Sequence, residues 1–162
     1  MLLKLLSNVG FYIPEILCIF LMCILLFLEA TYKNEKERTY LYVTAIIGLV
    51  ATLIVLSFNL GLEPKAIFSD AVVIDPFSTL VKILMVLGTL GAIYISSISN
   101  DIYEGLKAEF IIMAIGVLVG GMLLASANNM LTLYLGIETL SILSYVMSAM
   151  KREDSVSTEA GL

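Results

Sequence analysis

The chain contains no histidine and no tryptophan, only two cysteines and three prolines, and charged residues make up just 14% of its 162 positions. Without imidazole, proton chemistry near neutral pH falls to perturbed carboxylates or lysines. The cysteines, Cys18 and Cys23, lie in one apolar run on opposing sides of a helix, a placement that argues against a disulfide or a metal site. There is no phosphate-cradling loop, zinc-ligand spacing, nucleophile elbow or dinucleotide fingerprint. A net charge of −5 offers no basic footprint for nucleic acid. The opening MLLKLLSNVGFYIPEIL lacks the cleavable small-residue site of a secretory signal. It also lacks the Arg- and Ser-rich character of a transit peptide.

What is present is apolar. Hydrophobic residues make up 60% of the chain and the mean hydropathy is +1.02, against ~45–50% apolar residues in soluble domains. Five runs have spanning length, at roughly 12–30, 40–60, 77–96, 109–127 and 129–149. The expected fold is therefore all-α and polytopic, with five transmembrane helices and, at TEAGL, the start of a sixth. YKNEKERTY, GLEPKAIFSDAVVIDP and SSISNDIYEGLK separate the first four runs. Only Asn128-Asn129 divides the fourth from the fifth, which predicts a tight helical hairpin. Lys33, Lys36, Arg38, Lys107, Lys151 and Arg152 fall on one side of the membrane, and only Lys4 and Lys65 on the other. That bias places the N-terminus on the periplasmic side, or its organellar equivalent.

Glu138 lies near the middle of the fifth run, where an ionisable group costs at least ~2.5–3.5 kcal/mol. At 100° per residue, Tyr134, Ser141 and Tyr145 share its helix face. Lipid offers these groups no hydrogen-bond partner, so the strip must face protein or water. Glu138 then reads as a proton-relay or ion-coupling carboxylate, protonated when alone and ionised when a cation approaches. The alternative is a protonated acid acting as interhelical glue. Lys82 lies six residues inside the third span and either snorkels to the near interface or pairs with a carboxylate between helices. Glu15, after Pro14, and Glu29 read as interfacial, and Glu109 as a boundary charge. Gly116, Gly120 and Gly121 in the fourth span are small residues spaced for close packing, with the fifth helix as the expected neighbour.

From the fourth span onward the residues are distinctive: LLASANNMLTLYLGIETLSILSYVMSA, then STEAGL after a short basic loop. This segment resembles the N subunit of proton-translocating NADH–quinone oxidoreductase, respiratory complex I (subunit 2 in mitochondria). PEIL at 14–17 and IDPFSTLVKIL at 74–84 fit the same family more weakly. The resemblance covers nearly all of this chain but only the first part of the family's length. It implies an antiporter-like subunit with two inverted repeats, each with a broken helix in the proton path. Residues 1–108 would be three N-terminal helices, and 109–162 the fourth and fifth helices with the start of the sixth, opening the first repeat. The glutamate matching Glu138 pairs, in the family, with a lysine on a later helix. Glu159 in STEAGL matches a position implicated in proton transfer, and Lys82 a third-span lysine of less certain role.

Several expectations follow from the resemblance. This chain carries no cofactor, and NADH, FMN, iron–sulfur clusters and quinone belong to partner subunits. Its partners are other membrane-arm subunits of complex I, lipid, and a second polypeptide supplying the remaining helices, as in a split subunit; a truncated product is the other account. Its location is an energy-transducing inner membrane, bacterial or mitochondrial. Two alternatives stand beside this one: an Mrp-like cation/proton antiporter component, and a non-catalytic structural or assembly subunit.

Overall fold

The computed structural model describes residues 10–31, 35–61, 63–99, 106–150 and 159, with the side chains at 35–38 outside that description. Lys4, Lys33, Lys151 and Arg152, and the side chains of Lys36 and Arg38, therefore lie outside the described residues. After a single 3-10 turn at Gly10–Tyr12 come α1 (Ile13–Thr31), α2 (Glu35–Asn59), α3 (Pro76–Ile98), α4 (Lys107–Ala125) and α5 (Met130–Ser148). Two short strands, β1 (Lys65–Ile67) and β2 (Val72–Ile74), join α2 to α3. Among the described residues five helices are long and apolar enough to cross a membrane, as the five runs predict. The protein is an all-α polytopic membrane protein.

The ends of the helices are set by local chemistry. Asp75 caps α3: its Oδ1 accepts from the Ser78 backbone N–H at 2.7 Å, and the Asp75 N–H donates to Ser78 Oγ at 3.1 Å. Pro76 follows at the first helical position, where its missing N–H costs nothing. Asn129 caps α5 by accepting from the Thr132 N–H at 2.8 Å. The tight turn predicted at Asn128-Asn129 is present.

α4 is the central helix. It packs against α1, α3 and α5, and it buries Ala108, Ile111, Ile115, Leu118 and Met122. Its glycines bring α5 very close. A Cβ on Gly120 would lie 3.0 Å from the Leu140 backbone nitrogen, and one on Gly136 would lie 3.0 Å from the Leu124 nitrogen. This is the close helix approach that small residues permit in membranes. α5 contributes little else to the interior: only Thr132 and Gly136 are buried along it.

The segment GLEPKAIFSDAVVIDP, read from sequence as a plain connection, contains an antiparallel hairpin with Ala66 opposite Val73. Its turn places Phe68, Ser69 and Asp70 at φ of 54°, 55° and 64°, in the left-handed region. The hairpin is fastened to the α4–α5 turn. The Val73 N–H donates to Ser126 O at 2.9 Å and the Asn128 N–H to Ala71 O at 3.0 Å. Asn128 Nδ2 also donates to Asp70 O at 2.8 Å. Ile67, Val72 and Ile74 form a small second core with Phe11, Tyr12 and Leu123. Tyr12 meets Phe68 edge to face, and the Lys65 ammonium lies 4.2 Å from the Phe11 ring centre. The start of α1, the hairpin and the α4–α5 turn thus share one end of the bundle.

Candidate functional site

Two sets of polar groups lie within the spans. The first is a charge pair. Lys82 Nζ on α3 donates to Glu15 Oε1 on α1 at 2.5 Å, with the side chains only 2% and 1% exposed. Lys82 does not snorkel: of the two placements open to it, the structure adopts the pairing. Glu15 is not interfacial as expected. It is buried because it continues the inward stripe of α1 through Cys18, Leu21 and Leu25. Lys82 likewise lies on the inward stripe of α3, with Thr79, Val86 and Ile93. Those stripes, at three- and four-residue spacing, are the sequence signal that would have located both charges, and the sequence reading did not use it.

One turn deeper, Cys18 Sγ lies 3.6 Å from Thr52 Oγ1 on α2. The Thr52 hydroxyl donates its single hydrogen to Gly48 O at 2.9 Å, so the Cys18 thiol is the donor in the first contact. Cys18 and Cys23 are both free, the first buried and the second exposed. At the start of α3 the Asp75 carboxyl is held below the usual carboxylate range. The Ser78 hydroxyl is the largest cause, the Ser78 N–H comes next, and Lys82 adds a smaller part.

The second set is the α5 face. Glu138 is half-buried, and Tyr134 stands one turn earlier on the same helix face. Ser141 is half-buried and Tyr145 exposed, so the strip read from the sequence stands on the side of α5 away from α4. Among the described residues no lysine or arginine pairs with Glu138. Glu159 is exposed, and the residues on both sides of it lie outside the described ones. Glu138 and Lys82 are therefore separate sites: Lys82 belongs to Glu15 on the far side of α4, not to the α5 strip. Among the described residues no cluster of His, Cys, Asp or Glu could hold a metal ion.

No protein-family model matches the chain. Individual relatives do. NADH-quinone oxidoreductase subunit N of Granulibacter bethesdensis is 34% identical over 152 residues, covering 92% of this chain and 30% of its own length. The Nitrosomonas europaea subunit N is 32% identical over 150 residues, covering 92% and 31%. That of Magnetococcus marinus is 28% identical over 155 residues, covering 96% and 32%. Over nearly its whole length the chain is similar to NADH-quinone oxidoreductase subunit N. It spans about a third of the length of the curated relatives it matches. The exposed α5 strip and the buried Glu15–Lys82 pair lie in the part of the sequence that matches these relatives.

Proposed function

We propose that this chain supplies one wall of a proton path in the membrane arm of proton-translocating NADH:quinone oxidoreductase. Glu138 is the coupling carboxylate of that path, and Tyr134, Ser141 and Tyr145 are its hydrogen-bonding support. The observation that carries this reading is the uncovered strip itself. A carboxylate and its attendant hydroxyls are not stable against hydrocarbon, so α5 calls for a further helix or water along that face. The relatives have twice as much sequence again to supply such helices, and a partner polypeptide would do the same.

The chemistry would be electrostatic. A cationic side chain brought to ~4 Å of Glu138 at an effective dielectric of ~20 is worth ~4 kcal/mol, enough to decide whether the acid holds its proton. Movement of that cation loads and unloads the site. Glu159 acts as an accessory acid on the same path. Electron transfer from NADH to quinone occurs on partner subunits with their own cofactors. The N-terminus faces the periplasmic or intermembrane side of an energy-transducing inner membrane, following the lysine and arginine bias.

The test is Glu138→Gln in the assembled complex. Protons moved per electron pair should fall while the subunit complement, read by mass spectrometry of the purified particle, stays whole. An unchanged proton ratio refutes the coupling role. Loss of assembly with the ratio preserved in the surviving particles assigns Glu138 to interhelical contact instead.

A further inference from the structure

We propose that Glu15 and Lys82 form a second proton-exchanging centre in this chain, built on a water molecule held at Glu15 Oε2. The site is separate from the Glu138 strip and does not depend on it. The first observation is the pair's burial, which leaves almost no surface of either side chain exposed. The second is an imbalance within the pair. Oε1 receives the Lys82 ammonium, whereas Oε2 is buried and, among the described residues, has no hydrogen-bond partner. An ionised carboxylate keeps strong acceptor capacity on each oxygen, and leaving one unmet costs ~1–3 kcal/mol or more for a charged group. The ammonium has three hydrogens and spends one on Oε1. A single water donating to Oε2 and accepting from a second Nζ–H answers both needs. Buried waters characteristically bridge two to four such groups.

The surroundings suit exchange and not a dry lock alone. Lys82 is about 9 Å along α3 from Pro76, and Glu15 is in the first turn of α1, so both are near the hairpin end of the bundle. The titratable and charged groups that bear on them are Tyr12 beside Glu15, Cys18 one turn deeper and Asp75 at the start of α3. Asp75 is only partly buried and so links the pair electrostatically to the membrane surface. Exchange is a simple transfer. A proton arriving on the bound water passes to Oε2, so that a water O–H bond breaks as the Oε2–H bond forms. Lys82 remains an ammonium, and its unneutralised charge favours the proton's return to the water.

The experiment is infrared difference spectroscopy on native membranes containing the full chain, in two parts. Exchange of ordinary water for its oxygen-18 form should reveal an internal-water O–H band in wild type that is lost in Glu15→Gln/Lys82→Met. Waters elsewhere, including any at the buried, unpartnered Tyr42 hydroxyl and Ser96 Oγ, cancel in the wild-type-minus-variant comparison. A pH-jump difference spectrum should show a carboxylic-acid C=O band that is lost in Glu15→Gln. The charge-swapped variant Glu15→Lys/Lys82→Glu should restore the water band, which guards against simple misfolding of the neutral variant. An internal-water band unchanged in the double variant overturns the proposal, as does a pH-jump band unchanged in Glu15→Gln. Glu138→Gln should leave both bands in place, so failure of the coupling role at Glu138 and failure of this site are read separately.

Discussion

Replacing one glycine by alanine at each of two places should move stability in opposite directions, because only one of them touches another backbone. At Gly136 the added Cβ would sit 3.0 Å from Leu124 N and 3.1 Å from its Cα. Both are main-chain atoms of α4, so relief requires α4 and α5 to part by a few tenths of an ångström. Overpacking of this kind typically costs ~1–3 kcal/mol, against ~1 kcal/mol gained by alanine over glycine in a helix. The net effect is a loss of roughly 0–2 kcal/mol. At Gly91 on α3 nothing lies within 4 Å of the same Cβ. There the ~1 kcal/mol helix gain stands alone. The two variants should therefore differ by ~1–3 kcal/mol, about 5- to 150-fold in an equilibrium constant. Cys18 provides the assay, since it is fully buried while Cys23 is exposed. In a Cys23→Ser background, alkylation of Cys18 during heating in detergent reports loss of the packed bundle. The Gly136→Ala midpoint should fall or hold, and the Gly91→Ala midpoint should rise. A rise of equal size in both would refute the backbone contact between α4 and α5.

Lys82→Met alone should destabilise the bundle by about 3–5 kcal/mol, because it strands a buried carboxylate, and adding Glu15→Gln should recover most of that loss in the same Cys18 assay. Asp75→Ala should cost ~0.5–2 kcal/mol through loss of the α3 cap, seen as faster amide exchange in its first turn. The sign of the pH dependence at Asp75 follows from its lowered folded value. The cap's contribution is complete above the ordinary aspartate range and disappears as pH falls through the lower folded value, so acid should fray α3 in the wild type and have little such effect in Asp75→Asn. Asn128→Ala should loosen the hairpin on the α4–α5 turn at a cost of about 0.5–1.5 kcal/mol, since it removes the side-chain bond to Asp70 O and leaves the two backbone bonds, with somewhat faster exchange of the Val73 amide as the local readout.

The spans were legible because a run of apolar residues long enough to cross hydrocarbon has few other uses. Most of their limits held to within two residues, as at 109–127 against Lys107–Ala125, whereas the second helix begins at Glu35, five residues before the apolar run. The α4–α5 hairpin was readable for a similar reason: two asparagines between apolar runs leave room for nothing but a turn. The face shared by Glu138, Tyr134, Ser141 and Tyr145 came from helical periodicity, which is a local property. The partner of Lys82 was not legible in that way. Glu15 is 67 positions away in sequence, and only the folded bundle brings α1 against α3. Its place after Pro14 made it look like a boundary residue, although Cys18, Leu21 and Leu25 already marked its face as inward. The β-hairpin escaped notice because three-residue strands are too short for an alternating pattern to register.

α5 hangs from the rest of the molecule by one glycine-lined seam and presents its charged residue outward. During synthesis such a helix enters the bilayer as an unfinished surface, held in register but not enclosed. Bare to hydrocarbon, that face is the part of the described molecule most costly to keep in lipid, and therefore the part most open to membrane quality control. Covering that face, by helices of the same polypeptide or of another, should therefore slow proteolysis along α5 more than it does in the tightly packed helices around α4.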